Sequence, residues 1–340
     1  MHPQHPQVHP QHPQVDFAVI GAGLAGATVA SQLATTGASI CVLEKSRGAG
    51  GRMATRRSED QLRFDHGAQY FTVRDPRFGT AAKNWEAQNR IALWEGRIVA
   101  WNGGEWIDKT NRERYVATPA MNVLCKALLA DLPLVTQAEV HTLEQANRRW
   151  RLISRDGSVL CDAAWVISTA PAEQTAAIMT DSPAIVAAAG QVRMLPCWAA
   201  MIAPGAAVES AAFDGAFVNE GPLRWIARNS SKPGRDPDRE TWVLHASPEW
   251  SEKHWEDTRE SVAADLWQNF LDLLSAPAIK PAVAVAHRWR YALAEAVYAE
   301  RYLIDHERQL AACGDWCGGP RVEGAYLSGL EASRALMQLQ

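Results

Sequence analysis

The sequence predicts an α/β fold: a parallel sheet flanked by helices, carrying a smaller unit of antiparallel sheet plus helix. Three observations predict it. Residues 16–33 run from a short apolar strand through spaced glycines into a helix. Residues 310–336 repeat that order of strand, sharp turn and helix near the other end of the chain. Between them, alternating segments at 197–202, 213–218, 224–228 and 241–245 read as antiparallel strands, with a helix over 254–274 laid on them.

The first unit carries its own chemistry. Residues 17–20 are apolar throughout, as in a strand buried on both faces. Gly21, Gly23 and Gly26 follow at G-x-G-x-x-G spacing. Gly21 allows the tight turn, Gly23 lets a diphosphate approach bare backbone, and Gly26 lets the helix lie close on the sheet. The opening N–H groups around Ala22, Gly23, Leu24, Ala25 and Gly26 belong to a helix start, where an anion is favoured. Gly37 closes the helix and 39–43 form the next strand. Glu44 ends that strand, placed to accept both hydroxyls of an adenosine ribose and to repel a 2′-phosphate. Strand, glycines, helix, strand and acid in this order make a Rossmann-like unit. Residues 45–53, from Lys45 to Met53, form a second glycine-rich loop. Gly50 and Gly51 let the chain pass close to a ligand, and Arg47 and Arg52 can donate charge-assisted hydrogen bonds to a diphosphate. This arrangement resembles the flavin-binding fold of the amine oxidase and glutathione reductase superfamily, where a G-G-R-M run follows the second strand. The resemblance implies FAD.

Bulk properties set limits. The 340 residues suffice for two cores, and a net charge of -4 gives no electrostatic footprint for nucleic acid. No apolar run is long enough to span a bilayer, and no secretory signal with an apolar centre opens the chain. The six cysteines show neither disulfide nor zinc spacing, so reduced thiols, a cytoplasmic location and no metal are expected. Residues 2–15 are His-Pro-Gln-His-Pro-Gln-Val written twice. Proline this dense without apolar residues cannot join a core, so 1–15 read as a disordered leader or tag.

Further along, residues 63–71 contain Gly67, Ala68, Gln69 and Tyr70; by the flavin-oxidase resemblance they pass beside the isoalloxazine ring, with Tyr70 facing a substrate. Residues 80–92 read as a helix that begins a first excursion. Thr118 and Pro119 read as the cap and first position of a helix. Residues 135–143, 150–154 and 159–161 read as a three-stranded meander with Asp156-Gly157 as a hairpin turn, and 164–171 as a buried strand stopped by proline. By resemblance, Val140 lies beside the adenine and the strand end at Ala170 covers the cofactor. Asn229 and His245 could each hydrogen-bond a substrate amide, though such residues are more often satisfied structural groups. In the last block, Gly314 and Asp315 make the turn, with Asp315 able to take a ribityl hydroxyl. Arg321, Val322, Glu323, Gly324 and Ala325 open a helix whose free amides can stabilise charge on a reduced flavin. The segments 16–78, 112–171 and 283–340 are thus assigned to the FAD-binding domain, and 79–111 with 172–282 to the substrate domain.

Residues 21–26, 44–53, 65–71, 287–291 and 313–329, with their G-D-W-C and R-V-E-G-A-x-L-S-G motifs, look like the renalase family, more specifically its bacterial branch. That resemblance implies non-covalent FAD and oxidation of the 2- and 6-dihydro isomers of NAD(P)H, with O2 as acceptor and H2O2 as product. By position it places Tyr70, Asn229, His245 and Trp289 around the substrate, with Trp225 and Trp198 as further walls. An isomeric dihydropyridine becomes aromatic on losing hydride, so no side-chain base is required. Two rivals stand beside it: a flavin amine oxidase, and a non-catalytic flavoprotein. Amine oxidases usually keep a lysine near the flavin and an aromatic cage. None of the seven lysines lies in the flavin-edge motifs.

Overall fold

The computed structural model describes residues 12–339. Most of the expected leader, 1–11, lies outside them. Its last residues are not a leader: β1 (Gln14–Ile20) starts inside the repeat, Val15 is buried, and His12 Nε2 lies 2.7 Å from Asp162 Oδ2. The neighbouring strand supplies backbone partners as far back as Gln14, which is why the strand extends that far.

From β1 the chain enters α1 (Leu24–Ala34) and returns along β2 (Ile40–Glu44). A hairpin of β3 (Thr55–Arg57) and β4 (Arg63–Asp65) follows. Helix α2 (Pro76–Ala87) is capped by Asp75, whose carboxylate accepts the Arg77 N–H. Next come β5 (Ile91–Leu93), β6 (Ile98–Asn102), β7 (Glu105–Asp108), β8 (Tyr115–Ala117) and α3 (Val123–Leu128). Thr118 is not the cap of α3: its hydroxyl donates to Asn89 O and the helix begins four residues after Pro119. Of the expected meander, the first part separates as β9 (Leu134–Thr136), parallel to β2. The meander proper is β10 (Val140–Ala146), β11 (Arg149–Ser154) and β12 (Val159–Ser168), with Gly157 at φ +86° in the expected turn.

Short helices α4 (Ala172–Ile178) and α5 (Pro183–Ala189) lead to β13 (Met194–Pro204), β14 (Gly215–Val218), β15 (Leu223–Arg228) and β16 (Trp242–Ala246). The expected 254–274 helix is two: α6 (Pro248–Lys253), capped by Ser247, and α7 (Arg259–Leu273), capped by Thr258. The chain ends with β17 (Pro281–Ala294), β18 (Tyr302–Asp305), β19 (Leu310–Cys313) and α8 (Val322–Met337).

Two large sheets result. In the first, β9, β2, β1, β12 and β19 run parallel, and β12 continues past the parallel part into the β10–β12 meander. Alternation sorts its two faces. Phe17, Val19, Val42 and Ile167 pack under α1 and α8, while Ala18, Ile20, Leu43 and Val166 pack on the meander side with Trp150 and Leu152. The second sheet has the order β17-β13-β16-β15-β14-β6-β7, antiparallel except for β14 with β6. Helix α7 covers one face of it through Val262, Leu266 and Phe270.

The passages between sheets differ from the expected segment limits. Helix α2 buries Phe78 and Trp85 against Tyr326 of α8, and Met179 and Ile185 pack on the first sheet, so 79–87 and 172–189 belong with that layer. Strand β17 pairs with β13 along its length and belongs to the second sheet. Among the described residues no helix is long and apolar enough to cross a membrane, and all six cysteines are free thiols.

Candidate active site

Two helix starts and two glycine loops meet at one edge of the first sheet. Gly26 is required by contact: a Cβ there would lie 2.0 Å from Gly21 O. The same holds for Gly324 against Gly319 O, again at 2.0 Å. Helices α1 and α8 cross closely, since a Cβ on Gly329 would lie 2.5 Å from Ala25 O. The loop 45–53 folds over α1, with Gly50 N–H donating to Ala22 O at 2.9 Å and Gly51 resting on Gly23. Arg52 Nη2 then donates to Asp315 Oδ1 at 2.6 Å, joining this loop to the turn before α8. Lys45 and Arg47 stay exposed, and Met53 is core.

Glu44 is buried at the end of β2, where its carboxylate accepts N–H groups of Ala22 and Ser46, each at 2.8 Å. Ala138 N–H donates to Glu44 O, which brings the start of β10, and so buried Val140, beside that end of the site. Ala170 O accepts from Trp316 Nε1 at 3.0 Å, while the preceding Thr169 hydroxyl donates to Ile20 O at 2.9 Å over the first glycine turn. At the α8 start, the Glu323 carboxylate turns away and accepts the N–H groups of Arg74 and Asp75; Arg321 is exposed.

Residues 65–71 run between this edge and the second sheet. Gly67 abuts the arginine loop, because a Cβ there would lie 2.0 Å from Arg52 O, and Ala68 N–H donates to the same oxygen at 2.8 Å. Facing them, a row of direct cross-strand neighbours, Phe217, Trp225, His245, Ala199 and His287, shares one face of the second sheet. Trp225 meets Tyr70 at 5.3 Å between ring centroids. His245 Nε2 and Trp289 Nε1 both reach His66 O, at 3.1 and 2.9 Å. A carbonyl oxygen only accepts, so Nε2 of His245 bears the proton and Nδ1 is left as an acceptor. The His66 ring stacks on Trp289 at 5.0 Å and meets His287 edge-on at 4.9 Å. Burial lowers all three imidazoles, His66, His245 and His287, to about 4, so they are neutral near pH 7.

Three sequence expectations need correction. Asn229 is fully buried, its amide donating to Arg63 O at 2.9 Å and its carbonyl accepting from Lys232 Nζ at 3.1 Å, so it is not free for a substrate. The Gln69 side chain is likewise committed, to Lys232 Nζ at 2.9 Å and to Gly67 O at 3.0 Å, so only its backbone borders the site. Trp198 lies on the opposite face of the second sheet, with its Nε1 bonded to His254 O, because Cys197 and Ala199 take the site-facing positions.

Sequence reading missed the ion cluster beneath the 65–70 segment. Asp65 Oδ2 accepts from Arg235 Nη2 at 2.6 Å and lies 3.6 Å from Lys232 Nζ. Burial pushes Asp65 up, but Lys232 and Arg235 outweigh it and hold the carboxyl below its ordinary value. Burial lowers Lys232 to about 7, against the pull of Asp65. Nothing around Lys232 in the sequence, a turn-rich Asn-Ser-Ser-Lys-Pro-Gly run, marks it as buried.

Residues 98–337 match the family described as flavin containing amine oxidoreductase, and residues 19–91 match the NAD(P)-binding Rossmann-like domain. The chain belongs to the flavin-containing amine oxidoreductase family. This amine oxidoreductase is therefore a flavoprotein with FAD as its cofactor. Solved structures share its fold. A protein designated a protoporphyrinogen oxidase from Exiguobacterium sp. 255-15 superposes with TM-score 0.78 at 11% identity, over 97% of this chain and 100% of that one. A putrescine oxidase triple mutant gives TM-score 0.70 at 13% identity, over 97% and 100%. The wild-type putrescine oxidase bound to putrescine gives 0.68 at 13%, over 96% and 100%.

The residues present fit FAD. The amides of Gly23 to Gly26 at one helix start, and of Val322 to Gly324 at the other, have no acceptor among the described residues. Arg52 Nη1 is buried without a partner beside the first. Such orphaned donors at two helix starts suit a ligand that is anionic and long enough to reach both.

Proposed function

We propose that this oxidoreductase returns the 2- and 6-dihydro isomers of NAD(P)H to NAD(P)+, as its resemblance to the renalases implies, with O2 as final acceptor and H2O2 as product. The observation that carries the reading is that the protein's own Arg114 guanidinium already lies over one face of the site's Tyr70, 5.4 Å from its ring centroid. An aromatic cage for a substrate ammonium would meet that like charge, which repels it. A neutral dihydropyridine escapes that repulsion.

The helix starts at Gly21–Gly26 and at Arg321–Ala325, with Glu44, Gly51, Arg52, Gly67, Ala68, Val140, Ala170, Gly314 and Asp315, would hold FAD. When bound, FAD supplies a two-electron acceptor that O2 can reoxidise. The remaining work falls to the chain itself. Tyr70, Trp225 and Trp289 present flat walls that align a planar ring. His245, held by His66 O, offers Nδ1 to a carboxamide N–H. The three imidazoles stay neutral and withdraw no proton, as suits a substrate whose own aromatisation drives hydride loss. Mixing FAD-loaded protein under argon with each isomer tests this. Rapid bleaching of the flavin band by the 2- or 6-dihydro isomer and slow bleaching by ordinary NADH is expected; equal rates for all three refute the proposal.

One observation favours the second reading, a flavin amine oxidase. Lys232 reaches the flavin-edge segment through space, bonded to Gln69, although it lies in no flavin-edge motif. Peroxide release with benzylamine or a polyamine, and none with the isomers, would decide for it.

A further inference from the structure

We infer that Arg114 is a specificity-determining residue that makes the site select by ring charge. It admits a neutral ring beside Tyr70 and disfavours a cationic one, including the pyridinium that hydride loss creates; this rests on the dihydronicotinamide reading. Backbone bonds fix Arg114 in place. Phe71 N–H donates to Tyr115 O at 2.9 Å, and Tyr115 N–H donates to Phe71 O at 2.8 Å, an antiparallel bridge. Trp94 N–H donates to Arg114 O at 2.7 Å. Tyr70 and Arg114 each stand one residue before a bridged position, which makes them diagonal neighbours, within reach of an aromatic and a long side chain. The guanidinium accordingly lies 5.4 Å from the Tyr70 ring centroid. Tyr70 meets Trp225 of the second sheet at 5.3 Å, so this cation stands directly behind one wall of the site.

The fold does not neutralise this charge. Arg114 is 4% exposed and Arg235 is 8% exposed, but only Arg235 has a carboxylate, that of Asp65. Among the described residues Arg114 has none: Nη1 donates to Arg112 O at 3.0 Å, Nη2 donates to Lys109 O at 2.9 Å, and Nε is buried without a partner. Carbonyl oxygens satisfy donors but bring no net charge. A buried cation without an anion is costly to the fold, and salt screens its field far less than that of a surface group. The substrate and product of the proposed reaction differ in this respect. A dihydropyridine ring is neutral; once it has given a hydride, electron pair included, to a flavin, it carries one positive charge. A ring resting on Tyr70 lies about 10 Å or less from the guanidinium. At an effective dielectric of about 20, repulsion over that distance is worth about tenfold in binding. Arg114 therefore favours the neutral substrate and hastens departure of the cationic product.

The test is equilibrium binding of NAD+ and of 1,4,5,6-tetrahydro-NAD to the FAD-loaded protein. The two share every phosphate and ribose, but the ring of the second is neutral and donates no hydride. The neutral ligand should bind about tenfold more tightly or better, R114Q should shrink that ratio by about tenfold, and R114K, which keeps the charge, should preserve most of it. R114M, of similar length without charge, serves if R114Q yields no folded protein. Equal binding of the two ligands by the unmodified protein, or a ratio unchanged in a neutral variant whose melting temperature is intact, overturns the inference. The anaerobic bleaching assay separates this from the reaction. A preference lost in R114Q, with no bleaching by any isomer, supports selection by charge and refutes the reaction. Bleaching by the isomers with no preference between the ligands overturns the role of Arg114 alone, and failure of both dinucleotides to bind overturns both.

Discussion

Acidification from pH 7 to pH 5 should weaken this protein through three imidazoles of one cluster. His66, His245 and His287 are lowered to about 4, principally by burial. In the unfolded chain a histidine titrates near its ordinary value of about 6.5. The unfolded state therefore takes up protons first as pH falls, and stability drops between about 6.5 and 4. For one such group the loss from pH 7 to pH 5 is about 2 kcal/mol, at about 1.4 kcal/mol per pH unit. His245 and His287 keep some contact with water, which reduces the sum for all three to about 4 kcal/mol. Urea unfolding of the FAD-loaded protein at pH 7, 6 and 5 reads this directly. With a slope of about 3 kcal/mol per molar urea, the midpoint should fall by about 1 M or more. His287→Gln should remove about a third of the fall. A midpoint that stays constant over this range, or a fall that is undiminished in the variant, would show that these rings are not buried and neutral as described.

Other substitutions probe the glycines and the ion cluster. Gly26→Ala and Gly324→Ala each force a Cβ to 2.0 Å from a backbone oxygen, so both should yield protein depleted in flavin and less stable by about 3 kcal/mol or more, measured by the flavin-band absorbance per chain and by melting. Gly79→Ala in the interior of α2 meets only a Val73 methyl at 3.4 Å and should raise stability by about 0.5 kcal/mol. Asn229→Ala leaves Arg63 O and Lys232 short of partners, so the protein should lose about 1–3 kcal/mol with no change in the half-saturating substrate concentration; the opposite pattern would return Asn229 to the substrate. Lys232→Met should abolish a flavin-band titration centred near pH 7, because Lys232 is lowered to about 7 and bonds Gln69 beside the flavin-edge segment.

Much of the nucleotide half was legible because its demands are local. The turn at Gly21, the close packing at Gly26 and the acid at Glu44 must sit at fixed offsets within one strand–helix–strand unit, and periodicity reveals them. The same holds for the α8 start, where Gly324 is forced by Gly319. The second half was legible only as strands. Which face of a strand meets the site follows from period-2 alternation once one residue is anchored, and the sequence has no such anchor, so it does not reveal that Trp198 lies on the face opposite the one Trp225 and His245 share. The ends of the repeat at Gln14, and the membership of β17, depended on pairing with strands about 150 and 90 residues away.

Lys232 shows why counting residue types near motifs misleads at such a site. The flavin-edge segment at 65–70 carries Asp65, a carboxylate that is nearly fully buried and would be costly without cations around it. Those cations can come from anywhere the fold allows, and here they come from a turn 167 and 170 positions later. A buried acid in a loop next to a cofactor therefore implies partners before any are seen. Arg235 donates to one of its oxygens, Oδ2, through both Nε and Nη2, while Oδ1 accepts from Thr55 Oγ1 and the Met121 N–H. Lys232 stands farther from the acid and spends two of its protons on the carbonyl groups of Gln69 and Asn229. One cation thus neutralises the carboxylate while the other ties the turn of the second sheet to the loop against the first, so moving either sheet disturbs the charge balance of the other.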